Sequence, residues 1–128
     1  MKEITNRSDV CFLVDTFYSK VRIDKILGPI FNSAISDWPN HIKHLSDFWE
    51  SNLFLVNKYK GNPAQKHQEV DVNNNNTIEA LHFGIWLNYW FETLDQYFEG
   101  EKADLAKNRA RKMVSHLFLK IYERRLKD

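Results

Sequence analysis

The chain is 128 residues long, a length that suits a single domain, which we predict to span residues 1–128. Hydrophobic residues make up 43% of the chain and charged residues 27%, and these values exclude a disordered or fibrous protein. Eighteen Lys and Arg against seventeen Asp and Glu give a net charge of +1, which argues against a protein that covers nucleic-acid phosphates. The aromatic share, 14%, is more than a small helical core usually needs.

The cysteine content and the hydropathy pattern bear on the cellular location. Cys11 is the single cysteine, so no internal disulfide forms and the fold is compatible with a reducing compartment. No apolar run approaches the roughly 20 residues that span a bilayer. The amino terminus is polar and lacks the apolar core of a signal peptide. We therefore predict a cytoplasmic protein without a membrane span.

The first half of the chain contains two helical patterns separated by turns. Apolar residues recur at helical spacing over residues 8–21, and Ser8 is placed to cap this helix. The Gly-Pro pair at residues 28–29 interrupts any long helix and predicts short turns. A second helix is predicted over residues 37–55, with Pro39 in its first turn, where the missing N–H costs nothing. Its inner stripe consists of Trp38, His41, Leu45, Phe48 and Trp49.

The second half predicts a short helix, a loop and two long helices. The short helix carries His67, and four consecutive asparagines at residues 73–76 predict a flexible connection. The first long helix covers residues 78–99 and is stopped by Gly100. The second covers residues 102–126 and begins with small residues that permit a close approach of helices. Because no segment shows sustained period-two alternation, we predict an all-α fold.

Three polar or ring-bearing side chains lie on stripes that should face inward: Tyr18, His41 and Trp86. Taken singly, each is explained by packing in a helical core. His41 and His44 are one helical turn apart and could share a metal ion, but no third ligand at convincing spacing accompanies them.

The order and spacing of several short motifs are more specific than any single residue. They are Phe17-Tyr18, Gly28-Pro29-Ile30-Phe31, Trp38-x-x-His41, Phe48-Trp49, Gly61-Asn62-Pro63-x-x-x-His67 and His82-Phe83-x-x-Trp86. In this arrangement the chain resembles the truncated haemoglobins, and most closely their group III branch, from about residue 9 to residue 121. The resemblance implies a truncated globin fold, which is a two-over-two helical sandwich around haem b.

The resemblance also implies roles for individual side chains. His67 matches the residue that ligates the haem iron, and His82 is its competitor because it precedes Trp86 by one turn. Tyr18 and Trp86 match the hydrogen-bond donors on the distal side of the haem. His41 matches the distal helix position, where it either moves as a gate between pocket and solvent or simply packs.

Residues that would contact the haem come partly from the resemblance and partly from the helical stripes. Phe31 matches the ring that packs on the haem face. Stripe position adds Leu45, Phe48 and Val114 as predicted pocket walls. Trp49 and Trp90 are assigned to packing.

The function implied by the resemblance is the binding of oxygen, carbon monoxide and nitric oxide. A pocket with two donors retains oxygen too well for transport, which leaves nitric oxide dioxygenation, peroxide chemistry or sensing, and the residues do not separate these. Either reaction needs an external electron donor, because the sequence has no nicotinamide or flavin motif. Two alternatives stay open: a cofactor-free helical interaction module, and a non-haem metal hydrolase that uses His41 and His44.

Overall fold

The fold was analysed in a computed structural model that describes residues 1–55 and 80–127, with side chains up to residue 124. Five helices lie in these residues: α1 (Arg7–Ile23), α2 (Leu27–Ala34), α3 (Trp38–Phe54), α4 (Ala80–Tyr97) and α5 (Glu101–Lys127). The predicted all-α fold is confirmed over this part of the chain. The short helix with His67 and the asparagine loop lie outside the described residues.

The helices α1 and α3 begin at side-chain caps. Asn6 caps α1, because its Oδ1 atom accepts a hydrogen bond of 2.9 Å from the backbone N–H of Asp9. The prediction of Ser8 as the cap was wrong, since Ser8 lies inside the first turn. Helix α3 starts next to residue 37 with Pro39 in its first turn, as predicted, and the structure shows that Asp37 is its cap.

Helix α2 corrects the prediction of short turns around Gly28 and Pro29. Pro29 lies in the first turn of α2, where its missing N–H removes no intrahelical hydrogen bond. The Oδ2 atom of Asp24 accepts hydrogen bonds from the N–H groups of Ile26 (2.9 Å) and Leu27 (2.8 Å), so the carboxylate caps this turn. The glycine is required for space, because a Cβ atom at residue 28 would lie 2.7 Å from the carbonyl oxygen of Arg22.

The helices pack as two pairs, α1 with α3 and α4 with α5, as a two-over-two sandwich requires, and α1 also packs against α4. The indoles of Trp49 and Trp90 stack at 4.4 Å between the pairs, as their assignment to packing predicted. Trp90 donates its indole N–H to the carbonyl of Ala106 at 3.2 Å, so its polar group is satisfied inside the core. Small buried residues on α5, including Ala103 and Ala110, let that helix approach α4 closely.

The amino-terminal segment closes one end of the helical pairs. The N–H of Glu99 donates to the carbonyl of Lys2 at 2.9 Å, and Ile4 is buried in the core. Gly100 adopts a φ of +94°, a left-handed conformation, in the turn between α4 and α5, and α4 ends at Tyr97 rather than at residue 99 as predicted. Over residues 1–55 and 80–127, no helix combines the length and apolar character needed to cross a bilayer.

Candidate functional site

Tyr18 lies at the centre of a cluster of rings contributed by α1, α2 and α3. Its side chain is 6% exposed, and its ring centroid lies 5.9 Å from Phe31, 5.7 Å from Trp38 and 5.7 Å from His41. Burial raises the pKa of the phenol, because the apolar surroundings disfavour its charged form. Tyr18 therefore keeps its proton and remains a hydrogen-bond donor.

Trp86 brings a second buried donor to the same cluster from α4. The residue is 9% exposed, and its ring lies edge-on to Phe17 at 5.0 Å and parallel to Trp90 at 5.9 Å. Its N–H lies near enough to the Tyr18 phenol to offset part of the rise in the phenol pKa. The two groups do not reach hydrogen-bond geometry, however, and within the described residues the Nε1 atom of Trp86 is buried without a hydrogen-bond partner.

His41 lies in the first turn of α3, at the edge of the Tyr18 and Trp38 rings. The half-buried imidazole is edge-on to Tyr18 at 5.7 Å and to Trp38 at 5.5 Å. The guanidinium of Arg22 covers the Trp38 ring at 4.4 Å and separates it from solvent. His41 thus packs beside Tyr18 in this structure, and its role as a moving gate stays a prediction.

The predicted wall residues surround the cluster from three helices. Phe31 on α2 contacts Tyr18 directly. Leu45 and Phe48 lie on α3 beyond His41, and both are half-buried against the core. Val114 on α5 packs against that core and also against a smaller apolar cluster around Phe83. The structure therefore places these residues next to the core that contains Tyr18 and Trp86.

Of the two candidate iron ligands, only His82 lies among the described residues. His67 lies outside the described residues, whereas its competitor His82 is half-buried on α4, one turn before Trp86. Among the described residues, no three His, Cys, Asp or Glu side chains are grouped as they would be around a metal ion. The assignment of the ligand to His67 rather than His82 stays a prediction.

A contact that the sequence reasoning missed ties α4 to the corner between α1 and α2. The hydroxyl of Tyr89 donates a hydrogen bond of 2.6 Å to the Oδ1 atom of Asp24, the same carboxylate that caps α2. This bond, followed by the backbone N–H of Leu27, lowers the pKa of Asp24, and it raises the pKa of Tyr89. The only signal in the sequence was the position of Tyr89, three residues after Trp86 on the same stripe.

Tyr18 and Trp86 are two buried donors among apolar side chains, and the residues present fit a haem pocket. Flat rings and aliphatic side chains supply the apolar surface that a macrocycle needs. The indole N–H of Trp86 is buried without a partner among the described residues, which is the state expected of a donor reserved for a bound ligand.

Comparison with known proteins identifies the family. No family model matches the chain. A group 3 truncated hemoglobin of Campylobacter jejuni subsp. jejuni serotype O:2 is 32% identical over 125 residues, which cover 94% of this chain and 94% of the relative. The chain belongs to the truncated haemoglobin family. The crystal structure of a group III truncated hemoglobin from Campylobacter jejuni also matches this truncated haemoglobin, with a TM-score of 0.84 and 35% identity over 95% of this chain and 96% of that chain.

These findings confirm two of the predictions. The truncated globin fold is confirmed by the structural match, and the likeness to the group III branch is confirmed by both relatives. Membership of the family makes this truncated haemoglobin a globin, a class of haem protein that binds diatomic gases.

Proposed function

We propose that this truncated haemoglobin binds haem b and that His67 is the axial ligand of the iron. A neutral imidazole nitrogen is a common ligand of haem iron. The proposed pocket walls are the half-buried side chains that lie against the core, namely Phe31, Leu45, Phe48 and Val114. The aromatic cluster around Tyr18 supports this proposal, because its rings offer broad apolar surface next to two buried donors.

The observation that carries the proposed function is the pair of donors formed by Tyr18 and Trp86. When bound, haem supplies an iron that takes a diatomic ligand and shifts electron density onto it. A phenol O–H and an indole N–H enclosed by apolar side chains stabilise such partial negative charge, since little water competes for them. A net gain of about 1–3 kcal/mol from these bonds would slow oxygen release by about 5- to 150-fold.

Slow release of oxygen favours its consumption over its transport. We infer that the protein acts as a nitric oxide dioxygenase, in which nitric oxide, dioxygen and one electron combine to give nitrate. The donors Tyr18 and Trp86 would hold the dioxygen and orient it for attack. The electron comes from an external donor. Peroxide reduction would use the same two donors, and the assay below separates the two reactions.

Replacement of Tyr18 by Phe tests the role of the phenol. We expect Tyr18→Phe to speed oxygen dissociation by about 5-fold or more, because one charge-assisted hydrogen bond is lost. Stopped-flow displacement of oxygen by carbon monoxide measures the rate. Tyr97→Phe is the matched control, since that hydroxyl is on a partly exposed residue away from the ring cluster. An unchanged rate in Tyr18→Phe would remove Tyr18 from the ligand site.

The reaction itself is tested by product analysis of the oxygenated protein. Addition of nitric oxide should give one nitrate per protein, with a lower yield in Tyr18→Phe. Rapid turnover of hydrogen peroxide without nitrate formation would instead favour peroxide chemistry.

The axial ligand is tested with two histidine variants. His67→Ala should lose tight haem binding, whereas His82→Ala should keep it, and the Soret band of reconstituted protein reports the difference. The opposite pattern would assign the ligand to His82. A colourless folded protein that ignores added haemin would support the interaction module.

A further inference from the structure

The proposed reaction consumes one electron per turnover, and the protein must receive that electron across its surface. We propose that the outer face of α5 docks a small acidic electron-transfer protein; this inference rests on the proposed function. The face is defined by Arg109, Lys112, His116, Leu119 and Tyr122, which we call the basic face of α5. Their spacing of three or four residues places them along one side of the helix.

The first support is the distribution of charge along the chain. Helix α5 carries nine Lys or Arg and three Asp or Glu, which leaves nine Lys or Arg against fourteen Asp or Glu in the remainder. Residues 105–122 contain no acidic side chain at all. A protein with a net charge of only +1 therefore presents a concentrated positive surface at α5.

The second support is the pairing of the cations. Among residues 1–55, carboxylates pair with four of the six basic side chains: Lys2 pairs with Asp9, Arg7 with Asp47 and Glu50, Lys20 with Glu92, and Lys43 with Asp47. On the basic face, Arg109 and Lys112 are exposed and have no ion-pair partner in the described part of the chain. Their positive charge is therefore available to an acidic surface.

The third support is the exposed apolar surface beside these cations. Leu119 is 52% exposed and Tyr122 is 51% exposed, and both follow Lys112 and His116 on the same side of α5. Transient redox complexes have small interfaces, and interfaces in general combine apolar contacts with a charged rim. The basic face of α5 offers both components in one place.

The fourth support is the position of α5 relative to the donor pair. On the side opposite the basic face, Val114 packs against the core that contains Trp86 and against the cluster around Phe83. A helix with its side chains is about 10 Å across. A partner on the basic face would thus lie one helix away from the candidate site.

Two other anionic partners are disfavoured by the same observations. Binding to a membrane surface needs a broad apolar side that enters the lipid, whereas the outer face of α5, as far as its side chains are described, exposes only two large apolar side chains, Leu119 and Tyr122, among polar and charged ones. Proteins that cover nucleic acids carry a strongly basic charge over a wide surface, whereas this chain has a net charge of +1. An acidic protein therefore matches the basic face of α5 better than a membrane surface or a nucleic acid does.

The kinetic test uses haem-reconstituted ferric protein and photoreduced flavodoxin, a small acidic flavoprotein, with ferredoxin as a second donor. Formation of the ferrous carbon monoxide complex reports electron transfer. At low salt we expect the double variant Arg109→Glu/Lys112→Glu to react about 10-fold more slowly than the unmodified protein. We also expect the rate of the unmodified protein to fall as salt is added.

The matched control is the double variant Lys25→Glu/Lys43→Glu, which changes the net charge equally on other parts of the surface. Equal slowing in the two double variants, or rates that do not depend on salt with either donor protein, would overturn the docking surface. Reduction by dithionite should be the same in all proteins. A missing Soret band would mark a failure of the proposed function itself rather than of the docking surface.

A binding test without haem further separates a failure of the docking surface from a failure of the proposed function. In an NMR titration of the protein with oxidised flavodoxin, we expect chemical-shift changes centred on residues 108–123. Changes confined to other helices would overturn the proposal. So would tighter binding to phosphatidylserine vesicles or to duplex DNA than to flavodoxin.

Discussion

The hydrogen bond between Tyr89 and Asp24 connects α4 with the corner between α1 and α2. Asp24 accepts three hydrogen bonds: one from the Tyr89 hydroxyl at 2.6 Å on Oδ1 and two from backbone N–H groups on Oδ2. Tyr89→Phe removes the first and leaves the other two in place. A hydrogen bond to a charged group contributes about 1.5–3 kcal/mol. Both side chains are partly exposed, so we expect a loss of about 1 kcal/mol in the free energy of unfolding at pH 7.

The loss in the free energy of unfolding caused by Tyr89→Phe should depend on pH. Because the pKa of Asp24 is lowered in the folded state, its contribution is present above the ordinary carboxyl pKa of about 4 and is lost as pH falls through the lower folded value. The pKa of Tyr89 is raised, so its contribution is lost as pH rises through that raised value. The gap between the parent protein and Tyr89→Phe should therefore be widest near neutral pH.

Urea unfolding of the haem-free protein at neutral and strongly acidic pH measures this gap. Tyr122→Phe is the control, since that hydroxyl has no hydrogen-bond partner among the described residues and its loss should change little at either pH. A gap of the same size at both pH values would refute the reasoning, because it would assign the loss to packing rather than to the charged carboxylate. A double-mutant cycle with Asp24→Asn isolates the pair.

Two further predictions concern glycines and the Tyr18 phenol. Gly28→Ala should lower the free energy of unfolding by about 1–3 kcal/mol, since its Cβ would meet the Arg22 carbonyl at 2.7 Å. At residue 84 a Cβ atom would have no neighbour within 4 Å, so Gly84→Ala should raise the free energy of unfolding by up to about 1 kcal/mol in the same urea assay. Equal effects of the two substitutions would contradict the steric role of Gly28. Because burial raises the pKa of Tyr18, oxygen release should stay constant past pH 10, where exposed tyrosines lose their protons. Stopped-flow rates that approach those of Tyr18→Phe near pH 10 would contradict a buried donor.

Much of the fold follows from local patterns in the sequence. The apolar spacing predicts the long helices, and Asp37 with Pro39 predicts the start of α3 correctly. The same rule, applied to Pro29, would have predicted α2, because that proline also lies in a first turn. The neighbouring Gly28 is typical of a helix break in sequence, but here it lets α2 pass close to the Arg22 carbonyl. That close approach is a tertiary contact, which local pattern does not reveal.

The candidate site divides in the same way. Helical stripes and family motifs predict that Tyr18, His41 and Trp86 point inward from three helices. The structure places them in one ring cluster. The bond between Tyr89 and Asp24 joins residues 65 positions apart, and nothing in either local sequence indicates the partner. Contacts of this kind depend on how helices dock, so periodicity alone does not predict them.

Two tryptophans on α4 differ in the hydrogen bonding of their indole N–H groups. Trp86 and Trp90 lie one turn apart with nearly parallel rings, at an interplanar angle of 10°. The indole N–H of Trp90 donates to the carbonyl of Ala106, whereas that of Trp86 has no partner among the described residues. A buried donor without a partner costs about 1–3 kcal/mol, and a ligand that accepts from it recovers that free energy. In the function that we propose, the difference between these two indoles lies in their hydrogen bonding rather than in their packing. In that proposal the N–H of Trp90 stabilises the core, and the N–H of Trp86 would donate to a bound gas.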